Sequence, residues 1–263
     1  LNETWAYNGA ALSLVETNLA PSVRVYPTMA TLRDRVLLFG GNELADTWEF
    51  SGSSWQQPTL EFAPSGVGPL VFDSTRSELV FFIAESSTSG APTATWTFDG
   101  SWHKRVSGQG PSARSGAAMA YDVAHHTSVL FGGGPRAAPL QETWTFDGTT
   151  WQQRTTTTKP PGRRFAAITY DETRQKIVMF GGQGVGDSNF DDTWEFDGFD
   201  WRQVTTAARP PAQNSAAMAY DSRRRLVVLF AGDDSGATWT YDGANWQQLV
   251  TPTAPSPRRG AAM

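Results

Sequence analysis

The placement of the tryptophans constrains this chain more than any other feature. There are eleven in 263 residues, and six fall in one recurring phrase: ETWAYNG (3–9), DTWEFSG (46–52), ATWTFDG (94–100), ETWTFDG (142–148), DTWEFDG (192–198) and ATWTYDG (237–243). The phrase tryptophans are Trp5, Trp48, Trp96, Trp144, Trp194 and Trp239, spaced by 43, 48, 48, 50 and 45 residues. The other five, Trp55, Trp102, Trp151, Trp201 and Trp246, each follow a phrase by a few residues, and Leu12 takes that place in the first copy. A period in the forties implies a ring or stack of small supersecondary units rather than one ordinary globular topology.

Each unit reads as four short strands. The first is GAAMAYD (116–122), FAAITYD (165–171) or SAAMAYD (215–221), with GPLVFD (68–73) as a degenerate copy. The second is an apolar run ending in glycine: VLLFGG (36–41), SVLFGGG (128–134), IVMFGG (177–182) and VVLFAG (227–232), with VFFIAE (80–85) lacking the glycines. The tryptophan phrase is the third strand and W-x-Q the fourth. Asp-Gly, Asn-Gly or Ser-Gly joins the last two in all six copies, the mark of a tight hairpin turn with positive φ. Pro- and Thr-rich stretches such as TTTTKPPG (155–162) break strands and read as links between units. Four antiparallel strands cannot bury both faces alone, so neighbouring sheets must cover one another, and the tryptophans belong between them.

Composition removes several classes of function. There is no Cys, which excludes disulfides, thiol catalysis, iron–sulfur clusters and cysteine zinc sites. The three His, His103, His125 and His126, are too few and too scattered for a multi-histidine metal site. A net charge of −5 argues against a general nucleic-acid or anionic-membrane binder. No apolar run reaches the roughly 18–20 residues of a membrane span, and no charged-then-apolar leader is visible.

The succession R-x-G, A-M-x-Y-D, V-L-F-G-G, T-W-x-F-D-G and W resembles the kelch repeat, in a form similar to bacterial kelch and galactose-oxidase-like propellers, over essentially the whole chain. The resemblance implies an all-β kelch β-propeller filling residues 1–263 as a single domain. Its blades are expected at 21–62, 63–109, 110–159, 160–209 and 210–252. A sixth, closing blade is expected to combine a first strand from 253–263 with third and fourth strands from 1–20. No sixth VLFGG run exists, so the chain is read as part of a longer protein; a seven-bladed parent is the alternative to six blades.

In such propellers the links between blades and the loops between second and third strands share one face, and the first strands line a central channel. Aligned on A-M-x-Y-D, the R-x-G position holds Arg24, Ser65, Arg114, Arg163, Gln213 and Arg258. In kelch domains that capture acidic peptides, arginines here face the ligand. The resemblance therefore implies an Arg-lined mouth for a carboxylate, sulfate or phosphate, carried by Arg114 and Arg258. Arg24 and Arg163 retain the Arg without the Gly, and Ser65 and Gln213 depart from the pattern. Structural pairing to carbonyls or carboxylates is the competing role for each.

The longest loop on that face, QGVGDSNFDD (183–192), carries Phe190 as an aromatic contact candidate; Glu43 is a second loop candidate. Asp187, Asn189 and Asp191 alternate as D-x-N-x-D, a weak match to an oxygen-coordinated cation, without the Gly and distal Glu of an EF-hand loop. The expectation is a non-catalytic recognition or scaffold module for a protein or glycan, with an anionic ligand at the mouth. No cofactor, nucleic acid or membrane span is expected in this segment. An enzyme on an acidic sugar, using Arg114, Arg163, Glu43 and Glu85, and a purely structural domain of a larger assembly are the alternatives. An extracellular or cell-surface location is expected, with a cytoplasmic one left open.

Overall fold

The computed structural model describes residues 2–41, 44–84, 93–107, 110–230, 232, 235–251 and 253–263. Five four-stranded antiparallel sheets account for most of them. Blade 1 runs through Thr28–Leu32, Arg35–Phe39, Thr47–Phe50 and Trp55–Gln56, and blade 2 through Leu70–Asp73, Glu78–Ala84, Thr93–Phe98 and Trp102–Ser107. Blade 3 comprises Ala118–Asp122, Thr127–Phe131, Thr143–Phe146 and Trp151–Arg154; blade 4 comprises Ala167–Asp171, Lys176–Phe180, Thr193–Phe196 and Trp201–Val204. Blade 5 comprises Ala217–Asp221, Leu226–Phe230, Thr238–Tyr241 and Trp246–Leu249. Each blade pairs in strict sequence order, first to fourth. Among the described residues, one 3-10 turn at Val185–Asp187 is the whole of the helix content.

Position in the blade sets strand composition. First strands adjoin one another from blade 1 through to blade 5, so they are innermost, and those of blades 1, 3, 4 and 5 carry Ala. Second strands are covered on both faces, which is why they read as unbroken apolar runs: Ile177, Val178, Met179 and Phe180 are all buried. Fourth strands keep one buried Trp and turn Gln outward, as Trp201 and Trp246 show. Separate apolar cores lie between successive blades, and the edge-to-face contact of Phe131 with Trp201, at 5.2 Å between centroids, crosses one of them.

The second Trp of each unit also carries a hydrogen bond between blades. Its indole N–H donates to the Thr just before the previous unit's phrase Trp: Trp151 to Thr95 (2.8 Å), Trp201 to Thr143 (2.9 Å) and Trp246 to Thr193 (2.8 Å). Trp55 makes the same bond to Thr4 (2.7 Å), which places the two-stranded sheet of Thr4–Tyr7 and Leu12–Val15 directly before blade 1. Arg224 of blade 5 donates to the Asn8 carbonyl on the sheet's other side. The sheet therefore bridges the last blade and the first, and the architecture is a β-propeller.

The ring holds five blades, not six or seven. The expected closing blade does not form, because residues 253–263 contain no strand and only the outer pair is present. The segment does come to the right place: Arg258 pairs with Glu3 (2.7 Å), and Thr253 donates to the Leu12 carbonyl. A first strand, however, needs a second strand to ladder against, and the chain supplies no sixth apolar run between it and Thr4–Tyr7. Pro255 and Pro257 remove two further donors from the segment.

Candidate functional site

Of the four arginines expected at the mouth, Arg24, Arg114 and Arg163 point into their own blades and Arg258 toward the sheet of Thr4–Tyr7. Arg163 donates from Nη1 to the Gly181 carbonyl (2.8 Å), from Nη2 to Asp192 (2.8 Å) and from Nε to the Pro161 carbonyl (3.1 Å). Arg114 repeats this with Gly132 (3.2 Å), Glu142 (2.8 Å) and Ser112 (2.9 Å), and Arg24 with Gly40 (2.9 Å), Asp46 (2.7 Å) and Ser22 (3.0 Å). Arg258 keeps the Ser256 carbonyl (2.9 Å) and Glu3 (2.7 Å). Arg24, Arg114 and Arg163 thus each clamp the incoming link, the glycine end of the second strand and the start of the third, whereas Arg258 holds only the link and the residue before Thr4–Tyr7. The Arg114 and Arg163 side chains are both 0% exposed.

The same carboxylates receive an indole N–H: Asp46 from Trp48 (2.7 Å), Glu142 from Trp144 (2.9 Å), Asp192 from Trp194 (2.7 Å) and Glu3 from Trp5 (3.0 Å). Burial would raise the Asp46 carboxyl, but the hydrogen bonds from Arg24 and Trp48 together outweigh it and hold the group below its ordinary range. Glu142 is lowered in the same way, burial being overcome by Trp144 and Arg114. Burial also depresses the Arg114 guanidinium, partly offset by Glu142.

A signal for this clamp is present in the sequence. Units with Arg have Asp or Glu two residues before the phrase Trp; units with Ser65 or Gln213 have Ala94 or Ala237 there. In those two units the indole nitrogens of Trp96 and Trp239 are buried without a hydrogen-bond partner among the described residues. Arg and acid come and go together, as members of one internal pair would.

The residues two positions beyond Arg24, Arg114, Arg163, Gln213 and Arg258 gather at the entry to the innermost strands. Tyr26, Gly116, Phe165, Ser215 and Gly260 all adopt left-handed backbone, with φ of 56°, 67°, 53°, 59° and 63°. They are linked from unit to unit: the Phe165 amide donates to Gly116 (2.7 Å), Ser215 to Phe165 (2.9 Å) and Gly260 to Ser215 (3.0 Å). Across the opening, the Tyr26 and Phe165 rings stack at 5.4 Å and 18°. Arg164 lies over Phe165 at 5.0 Å, and its Nε has no hydrogen-bond partner among the described residues. Val23, Val25, Tyr26 and Val67 are exposed. Only backbone geometry and ring closure reveal this cluster; nothing in the spacing of Tyr26 and Phe165 announces it.

The remaining candidates are dispersed. Phe190 is half-buried and covers the Arg163 guanidinium at 4.1 Å. Asp187 pairs with Arg136 (2.7 Å), Asn189 accepts from Asn214 (2.9 Å) and Asp191 pairs with Arg209 (2.7 Å), so the three side chains face three different partners. Among the described residues no group of three or more His, Asp or Glu is arranged to hold a metal ion. Glu43 and Glu85 lie outside the described residues.

On the opposite face, a repeated latch joins blades. Asp73 caps its own turn through the Thr75 and Arg76 amides (2.9 and 3.0 Å) and holds the Arg76 side chain (2.7 Å). Arg76 then donates to the Asp147 carbonyl in the next blade's Asp-Gly turn. A Cβ on Gly148 would lie 2.1 Å from Arg76 Nε. The glycine is therefore demanded by its neighbour's guanidinium as well as by its φ of +93°. His125 fills the Arg place in blade 3, 2.9 Å from Asp122.

Two comparisons bear on this geometry. The family model described as the KLHDC2/KLHL20/DRC7 Kelch-repeats domain matches residues 93–263. No curated protein matches the chain.

Proposed function

The chain belongs to the kelch-repeat family, and from that premise we propose that it is a non-catalytic recognition module that holds a partner protein over the channel mouth. The observation that carries this reading is the Tyr26–Phe165 stack. Two bulky aromatics sit in left-handed backbone where equivalent units carry Gly116 and Gly260. Such a conformation costs roughly 1–3 kcal/mol for each bulky residue. A stack half-open to solvent recovers less than a buried one, so the pair fits a contact surface better than a device for stability. Exposed Val23, Val25 and Val67 extend the apolar area around it.

The finer part of the proposal is that the partner presents an acidic side chain. Arg164 offers a half-buried guanidinium beside an aromatic ring, steadied by its Nη2 bond to the Gln183 side chain (2.7 Å), and a cation so placed suits a carboxylate. The net charge of −5 opposes an acidic partner at long range, so the attraction depends on contact at this cluster rather than on steering. The buried arginines serve this reading as the frame that positions the mouth residues two places on.

An array of acidic peptides and their amide counterparts, probed at low ionic strength, tests the proposal. Capture of acidic peptides is expected, weakened about tenfold or more by Tyr26→Ala, Phe165→Ala or Arg164→Ala, as for residues central to an interface. Failure to capture any acidic peptide, or equal capture by the triple variant, would overturn it.

A further inference from the structure

Between blade 5 and blade 1 lies a cavity of about 920 Å³. Met29, Leu38 and Trp55 of blade 1 form one wall, and Tyr220, Val228 and Phe230 of blade 5 form the other. These are the residue types that cover second strands between the other blades, where Val178, Phe180, Met218 and Leu229, for example, share one core. At its outer end stands the strand Thr4–Tyr7, paired on one edge only, with Leu12–Val15. The equivalent strand of blade 3, Thr143–Phe146, is paired on both edges, with Trp151–Arg154 outside and Ser128–Phe131 inside. Among the described residues, no strand is paired with the inner edge of Thr4–Tyr7.

We infer that this cavity is a docking slot for one β-hairpin with the chemistry of the chain's own first and second strands, its first strand seated beyond Gly260–Met263, which hold the opening places of a first strand. Three observations select that occupant. The open backbone edge of Thr4–Tyr7 can be satisfied fully only by another extended strand, which neither an apolar small molecule nor a helix supplies. The walls are apolar at the depth where Val-Leu-Phe runs sit in the filled blades, so the strand added to Thr4–Tyr7 is an apolar run. The register is already set: the Gly260 amide bonds Ser215 as the Phe165 amide bonds Gly116, and Arg258 clamps Glu3 as Arg163 clamps Asp192.

A fourth detail predicts one side chain of the guest. The Tyr in the first strands of blades 3, 4 and 5 reaches the preceding blade two residues after that blade's turn Asp. Tyr121 donates to Thr75 (2.7 Å), the Tyr170 hydroxyl accepts from the Ala124 amide (3.2 Å), and Tyr220 meets Thr173 (2.6 Å). Arg223 holds the corresponding place after Asp221 and lines the cavity. The guest hairpin therefore carries an inner-strand Tyr directed at Arg223.

Because Gly260–Met263 already hold the places of Phe165–Ile168, the probe is a synthetic peptide of residues 169–182, the remainder of the chain's own hairpin, added to the 263-residue protein, with a scrambled peptide as control. Expected are one-to-one binding, a melting temperature that rises with the logarithm of free peptide concentration, and slowed amide exchange within Thr4–Tyr7. Replacing the peptide's Tyr170 by Phe should weaken binding by a few-fold. No binding at millimolar peptide, equal binding of the scrambled control, or protection that leaves Thr4–Tyr7 unchanged would overturn the inference. Concentration-dependent dimerisation that protects Thr4–Tyr7 without peptide would identify a second copy as the occupant and would overturn it as well.

Discussion

Replacing Arg163 with Ala removes the guanidinium from a site where its side chain is 0% exposed and strands Asp192, itself 13% exposed. The Gly181 and Pro161 carbonyls lose their donor at the same time, and Asp192 keeps only the Trp194 indole. Breaking a buried ion pair from one side costs about 3–5 kcal/mol, because the remaining charge has no escape to water. For a chain of this size about 1 kcal/mol moves the melting temperature by roughly 2–4 °C, so a fall of roughly 6–20 °C is expected. Arg136→Ala is the control, since the Arg136 side chain is 70% exposed and the loss of its pair with Asp187 should cost no more than about 1 kcal/mol. Blade 5 suggests a compensated variant: Arg163→Gln with Asp192→Ala reproduces the Gln213 and Ala237 combination already found there. It should recover a large part of the loss, as neutral replacements of buried pairs commonly do. Urea and thermal unfolding of the three variants supply the measurement. If Arg163→Ala loses less than about 1 kcal/mol, or no more than Arg136→Ala, the clamp is not what these arginines are for.

Two further outcomes follow from the same geometry. Asp46 and Glu142 have folded pKa values below the ordinary 3.8 and 4.5, so their contribution is complete above those values and is lost as pH falls through the lowered ones. The urea midpoint should drop in that acid range, and Glu142→Gln should shrink the drop while lowering stability at neutral pH. Gly148→Ala and Gly52→Ala both place a side chain at positive φ, but only Gly148 has an Arg in the way, whereas nothing lies within 4 Å of a Cβ on Gly52. Gly148→Ala should therefore cost about 1 kcal/mol or more beyond Gly52→Ala, and Arg76→Ala should abolish the difference; equal costs in unfolding titrations would refute the latch.

Much of the fold is legible in the residues because its rules are local. An apolar run ending in glycines marks a strand covered on both faces, and Asp-Gly marks the hairpin behind it. Repetition in five copies then leaves little freedom in blade order. The arginine role was half legible. Their common rung was clear from alignment, but their direction was not. The pairing partner lies 22–29 residues further on in blades 1, 3 and 4, and the clue to it is the joint loss of Arg and acid in the Ser65 and Gln213 units.

Other features arise only when the ring is assembled. The Tyr26–Phe165 stack joins units whose residues are far apart in the chain, and its backbone conformation leaves no compositional trace. The Gly148–Arg76 fit adds a neighbouring guanidinium to the turn as a reason for that glycine. The expected closing blade is the opposite case: Arg258 and Glu3 meet as the repeat requires, yet no blade forms around them. The sequence by itself determined strand type, turn and inward-facing residues, because these depend on side-chain period and backbone freedom within a few positions. Tertiary structure decided which charges are buried, which aromatics meet at the opening and which sheet edge stays unpaired, because those depend on distances between blades that no single repeat contains.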